Sequence, residues 1–132
     1  MNAISPRLSP ERQIQRTLFA KLTEALPLGS AVIHVPNEDA TGSAAYGQQK
    51  IRDGMLPGCP DLLILVHGRA YWLEVKAPNG RVSDAQRRAH PRLRAAGSPV
   101  EVVYSVEDGL AAVREWGLLP HPPTPAMRSE TR

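Results

Sequence analysis

Apolar positions in residues 9–26 (SPERQIQRTLFAKLTEAL) recur every fourth place, at Ile14, Leu18, Leu22 and Leu26, with Phe19 beside them. This spacing draws one apolar stripe along a helix. Ser9 is placed to cap it, Pro10 suits its first position, and Glu11 complements the dipole at that end. Pro27 and Gly29 close it. The β-branched run AVIHVP at 31–36 predicts a strand. Residues 37–60 then lose all periodicity, a length of connection that is usually functional or disordered. Two apolar runs, 61–66 and 70–76, flank His67-Gly68 and predict a hairpin. A second helix is predicted over 84–96, capped by Ser83 with Gln86 completing a capping box, and ended by Gly97. Pro91 within it should kink or split it. PVEVVYS at 99–105 alternates as a strand, and 106–116 reads as a short amphipathic helix despite Gly109. From Gly117 on, four prolines and no periodicity predict an extended or disordered tail.

The order helix, strand, hairpin, helix, strand, helix gives a mixed α/β domain, a small central sheet flanked by helices. The chain has 132 residues, which suits one domain at 9–116 between a flexible 1–8 and the tail at 117–132. No run approaches the roughly 18 apolar residues of a membrane span, and the first residues contain no secretory h-region. The single cysteine, Cys59, excludes an intramolecular disulfide and fits a reducing cytoplasm. A net charge of +3 permits a polyanionic partner without requiring one. Its distribution is more informative. Arg81, Arg87, Arg88, Arg92 and Arg94 are opposed locally only by Asp84, and Lys50 and Arg52 sit in the long connection. This basic face suits a phosphate backbone.

The hairpin carries the chemistry. On its second strand Glu74 and Lys76 share a face with Trp72, while Leu73 and Val75 face the other way. If His67-Gly68 is a two-residue turn, Val66 pairs with Arg69, and counting back puts Asp61 opposite Glu74. Directly opposed carboxylates repel unless a cation sits between them. Oxygen ligands on rigid strands suit a hard ion such as Mg²⁺, which takes one or two carboxylates and accepts phosphate oxygens as further ligands. Lys76 is placed to position an attacking water or neutralise charge. The chemistry implied is phosphodiester hydrolysis. Each of these residues has a bland reading alone, as a turn or a solvated edge; their joint order favours the site. Other chemistries lack their patterns. The four histidines have no metal-ligand spacing, Cys59 reads as a small buried residue, and neither a phosphate-binding loop nor a hydrolase triad is present.

PD at 60–61 followed by EVK at 74–76 resembles the PD-(D/E)XK nuclease signature. With ERQIQ at 11–15, GCPDLLIL at 58–65, WLEVKAPNGRVSDAQ at 72–86 and LRAAG at 93–97, the chain is most similar to a VRR-NUC domain over about residues 9–115. The resemblance implies a restriction-endonuclease-like αβββαβ core. It implies Asp61, Glu74, the Val75 carbonyl and Glu11 as ligands of Mg²⁺ or Mn²⁺, Lys76 as catalytic lysine, and active-site roles for Gln15 and Gln86. It further implies a DNA substrate, branched as for Holliday-junction resolvases, a homodimer, and a bacterial or phage genome. Lys50, Arg52, Arg81, Arg87 and Arg88 would contact phosphate. The rival expectation is a non-catalytic nucleic-acid-binding module, or an accessory subunit, that keeps the fold.

Overall fold

The computed structural model describes residues 7–36, 48–49 and 51–122. Helix α1 (Pro10–Ala25) starts where Ser9 Oγ accepts the Arg12 backbone N–H, with Pro10 in the first turn. Strand β1 (Ser30–His34) leads to the connection, and β2 (Leu62–Val66) and β3 (Arg69–Val75) form the hairpin. Helix α2 (Asp84–Ala95), strand β4 (Val100–Val103) and helix α3 (Val106–Glu115) complete the order read from the sequence. The sheet runs β1-β2-β3-β4; the first two pairings are antiparallel and β3–β4 is parallel. Among the described residues no helix is long and apolar enough to cross a membrane.

The hairpin turn is the two-residue turn predicted. His67 and Gly68 both take positive φ, 50° and 76°, the conformation that matches the twist of a tight hairpin. Val66 therefore pairs with Arg69, and the ladder runs to Leu62 opposite Leu73. Asp61 and Glu74 are the next residues outward, one on each strand.

Leu62, Ile64 and Val66 of β2 join Tyr71, Leu73 and Val75 of β3 on the face packed by α1 and α3. Leu18 and Leu22 from α1 and Val113 from α3 fill that core. Gly109, an awkward residue by helix propensity, has a packing reason. A Cβ there would lie 2.5 Å from Leu18 Cδ2, so the absence of a side chain lets α3 close on α1. Helix α2 lies on the opposite face, the side to which alternation sends Glu74.

Of the two alternatives at Pro91, the split does not occur: helix α2 runs unbroken through it. Ala89 and His90 are buried just before it, and Arg94 Nη2 donates to the Val100 carbonyl just after it, so contacts on both sides hold the helix through the missing hydrogen bond. The chain after Gly117 also does not leave at once. Gly117 takes φ 78°, the Leu118 N–H donates back to the Val113 carbonyl, and Leu119 enters the core. Residues 123–132 of the expected tail, and residues 1–6, lie outside the described residues.

Candidate active site

Asp61 stands at the entry to β2, and Gly58 determines how the chain reaches it. Gly58 takes φ 79°, and a Cβ there would lie 2.3 Å from the Ala85 carbonyl carbon and oxygen and 2.5 Å from the Gln86 nitrogen. Bare backbone thus presses on the first turn of α2 and brings the 58–61 segment beside Gln86. Gly58→Ala is expected to destabilise the protein by about 3 kcal/mol or more, because backbone on both sides must move and the positive φ adds strain. Gly68→Ala, at a similar φ with nothing within 4 Å, should cost only about 1 kcal/mol. Urea unfolding of the two variants side by side checks the difference.

From this entry the Asp61 carboxylate reaches across the hairpin. Its Oδ2 accepts the Val75 backbone N–H at 2.7 Å, so it is fixed to the strand that carries Glu74. The Asp61 carbonyl accepts the Val35 N–H at 2.8 Å, which ties the same residue to the end of β1.

Glu74 is fully buried, with 0% exposure, and Lys76 is nearly so at 9%. Glu74 Oε1 lies 3.2 Å from His90 Nε2, and Glu74 Oε2 has no hydrogen-bond partner. Burial pushes the Glu74 carboxyl up to about 10; the neighbouring Asp61 carboxylate and the charge of Glu11 add to that, while Lys76 opposes them. Burial lowers His90, helped by the charges of Arg94 and Lys76. The contact between Glu74 and His90 is therefore a hydrogen bond between neutral groups in the metal-free protein rather than an ion pair.

A cavity of about 210 Å³ opens on this cluster. Helix α1 contributes Ser9, Glu11, Arg12 and Gln15; His34, Cys59, Asp61 and Gln86 complete the lining. Gln86 serves two purposes at once. Its Oε1 accepts the Ser83 N–H while its own N–H donates to Ser83 Oγ, so the capping box is real, and its amide nitrogen remains as the group it offers the cavity. Gln15 Nε2 lies 2.9 Å from His34 Nδ1, which is also 3.1 Å from the Asp61 carbonyl. The Cys59 thiol is pushed up to about 11, by burial and then by Glu74 and Asp61, which leaves little thiolate at neutral pH and fits its reading as a structural residue.

The structure thus brings Asp61, Glu74, Lys76, Glu11, Gln15 and Gln86 to one end of the sheet. Glu74 is fully buried and does not line the cavity. Among the described residues no three acidic, histidine or cysteine side chains gather as a ready-made metal-ligand set, so Glu11 shares the cavity without closing on the two strand acids. Asp61 and Glu74 are the residues that could hold a divalent cation. The fit is good: the orphaned, buried Glu74 Oε2 and the suppressed ionisation of its carboxyl are what a nearby cation would relieve.

The basic residues separate. Arg81 and Arg52 are exposed, and Arg87 is an exposed partner of Asp84 at 3.6 Å. Arg88 and Arg92 rim a second groove beside α2, floored by Leu56, Pro57, Ala85 and Ala89. Arg94 is also exposed, with its Nη2 donating to the Val100 carbonyl at 2.9 Å. Lys50 lies outside the described residues. Three residues at the site escaped sequence reasoning: Arg12, His34 and His90. The histidines have no metal-ligand spacing; each takes its place through a partner far away in sequence, and no local signal marks that.

The sequence model of the VRR-NUC domain family matches residues 8–107. A comparison with curated proteins found no match. Among solved structures, one described as a VRR-NUC domain superposes with a TM-score of 0.59 at 23% identity, covering 83% of this chain and 99% of the other. A second, described as a VRR-NUC domain protein, gives 0.64 at 20% identity, covering 82% of this chain and 88% of the other. These likenesses match the four-stranded sheet and its flanking helices. With its family match extending from the start of α1 into α3, the chain belongs to the VRR-NUC domain family, within the PD-(D/E)XK nuclease superfamily.

Proposed function

We propose that this chain is a Mg²⁺- or Mn²⁺-dependent DNA endonuclease that acts on branched DNA as a homodimer. One observation carries the reading. Two carboxylates on adjacent strands lie together beside Lys76, and the buried one keeps an oxygen without a partner. A structural acid would have that oxygen satisfied.

Asp61 and Glu74, with the Val75 carbonyl, would hold the cation. When bound, it would lower the pKa of a water and offset charge on the scissile phosphate. Asp61 is already oriented by the Val75 N–H, so little rearrangement is needed to present its outer oxygen. Lys76 would neutralise charge as the phosphate is attacked. Glu11 and Gln86 would orient water and phosphate from the two helices that wall the cavity, with Gln15 beside them. Arg52, Arg81, Arg87 and Arg88, with Lys50, would hold the backbone. Such contacts are salt-sensitive and largely independent of sequence. A second copy would supply a second site for the opposite strand.

The purified protein is expected to cut four-way-junction DNA with Mg²⁺ or Mn²⁺, to prefer it over plain duplex, and to stop in EDTA. Gel assays on junction, nicked and plain duplex check this, and sedimentation of the active species checks the dimer. Equal cutting of all three substrates would remove the branched preference. A wild-type protein that binds DNA but neither metal nor cleaves would favour a non-catalytic binding module or an accessory subunit, a reading to which the complete burial of Glu74 also lends itself.

A further inference from the structure

We propose that His90 is a positioning residue for the cation site: its Nε2–H holds the Glu74 carboxylate through Oε1 and leaves Oε2 turned toward the ion beside Asp61. The inference rests on the metal-dependent reading above and adds to it a residue from the opposite face of the sheet. His90 is 4% exposed and Glu74 is 0%, and Nε2 lies 3.2 Å from Oε1. The other carboxylate oxygen has no partner. A buried carboxylate with one oxygen engaged and the other orphaned has a defined direction in which it can still bind something.

The helix that carries the imidazole is fixed on both sides of it. The capping box fixes α2 one turn upstream, the Gly58 backbone presses on Ala85, and Arg94 binds the Val100 carbonyl one turn downstream. His90 does not line the cavity and cannot touch substrate, so it would act only through Glu74. An ionised carboxylate accepts and does not donate, so with the cation in place the imidazole must carry its proton on Nε2. Partners of this kind orient a metal ligand, and losing one typically costs about 10- to 100-fold in metal affinity. Without the bond, the terminal torsion of Glu74, a soft one, is free to turn Oε2 away.

Mn²⁺ titration by calorimetry, without DNA, tests this on wild type, His90→Gln, His90→Asn and His90→Leu, with Asp61→Asn as the reference for a lost ligand. Glutamine places its amide nitrogen close to the position of imidazole Nε2; asparagine is too short. The expected result is affinity weakened about 10- to 100-fold in His90→Asn and His90→Leu, and within about threefold of wild type in His90→Gln. Metal-free melting curves of the same samples identify any variant that does not fold. If His90→Leu fails to fold, the Asn and Gln pair decides alone. Wild-type affinity in His90→Asn overturns the proposal, as does equal weakening in His90→Gln and His90→Asn, which would mean the imidazole acts by packing. Wild type binding Mn²⁺ no better than Asp61→Asn removes the metal reading itself, and this proposal with it.

Discussion

Asp61→Asn is expected to reduce metal-dependent DNA cleavage by about 10³-fold or more while leaving the protein folded. Asparagine keeps an oxygen that can accept the Val75 N–H, so the tie across the hairpin survives. What disappears is the negative charge that a hard cation needs. Asp61→Ala should lose both, with a further cost of about 1 kcal/mol in stability for the unpaired Val75 N–H. Lys76→Ala should lower cleavage by about 10²- to 10³-fold with metal affinity little changed, since it would act on charge that develops during reaction. Single-turnover cleavage at saturating metal, beside a Mn²⁺ binding curve, separates the two effects. Asp61→Asn that cuts at the wild-type rate would sink the assigned chemistry.

Glu74→Gln should abolish cleavage and yet make the metal-free protein more stable. The sign follows from the raised carboxyl, at about 10 in the folded protein against 4.5 in the unfolded chain. Below pH 4.5 both states hold the proton. Above it the unfolded chain releases the proton and the folded protein keeps it, so stability falls steadily as pH rises toward 10. Glutamine has no proton to release and escapes this loss. The difference between variant and wild type should be small at pH 5 and reach about 2–4 kcal/mol at pH 8, or roughly 7–14 °C in melting temperature. Added Mg²⁺ should raise the wild-type midpoint and leave the Glu74→Gln midpoint where it was. Melting curves in EDTA and in Mg²⁺ across this pH range measure both. Equal midpoints at pH 5 and pH 8 for the wild type would show that Glu74 ionises normally.

The elements were legible because each is declared locally. The four-residue spacing from Ile14 to Leu26, the Ser83 and Gln86 pair and the alternation around 99–105 need only their own neighbourhoods. The opposed acids were legible by counting, since a two-residue turn at His67-Gly68 fixes every pair behind it. What stayed hidden depends on which surfaces meet. Glu74 and His90 are sixteen residues apart and come together only when α2 docks on the sheet. Gln15 and His34 are nineteen apart and meet at the junction of α1 with β1. Gly109 looked like a weak point in a helix until Leu18 was seen against it. Leu118 and Leu119 looked like the start of a tail because a short apolar pair before prolines has no period to read.

The hairpin tip has a reach beyond its own size. Five residues of strand at about 3.4 Å each separate it from the two acids, a lever arm of about 17 Å. A side chain in a strand faces one way or the other according to an odd or even count. The turn at His67-Gly68 therefore works like the zero of a vernier scale. It touches none of the chemistry, but adding or removing one residue there would misalign the two strands at their far end, turning one acid from its partner while every residue of the site remained in the sequence. Selection on the acids is thus also selection on the length of a loop that the substrate need never meet.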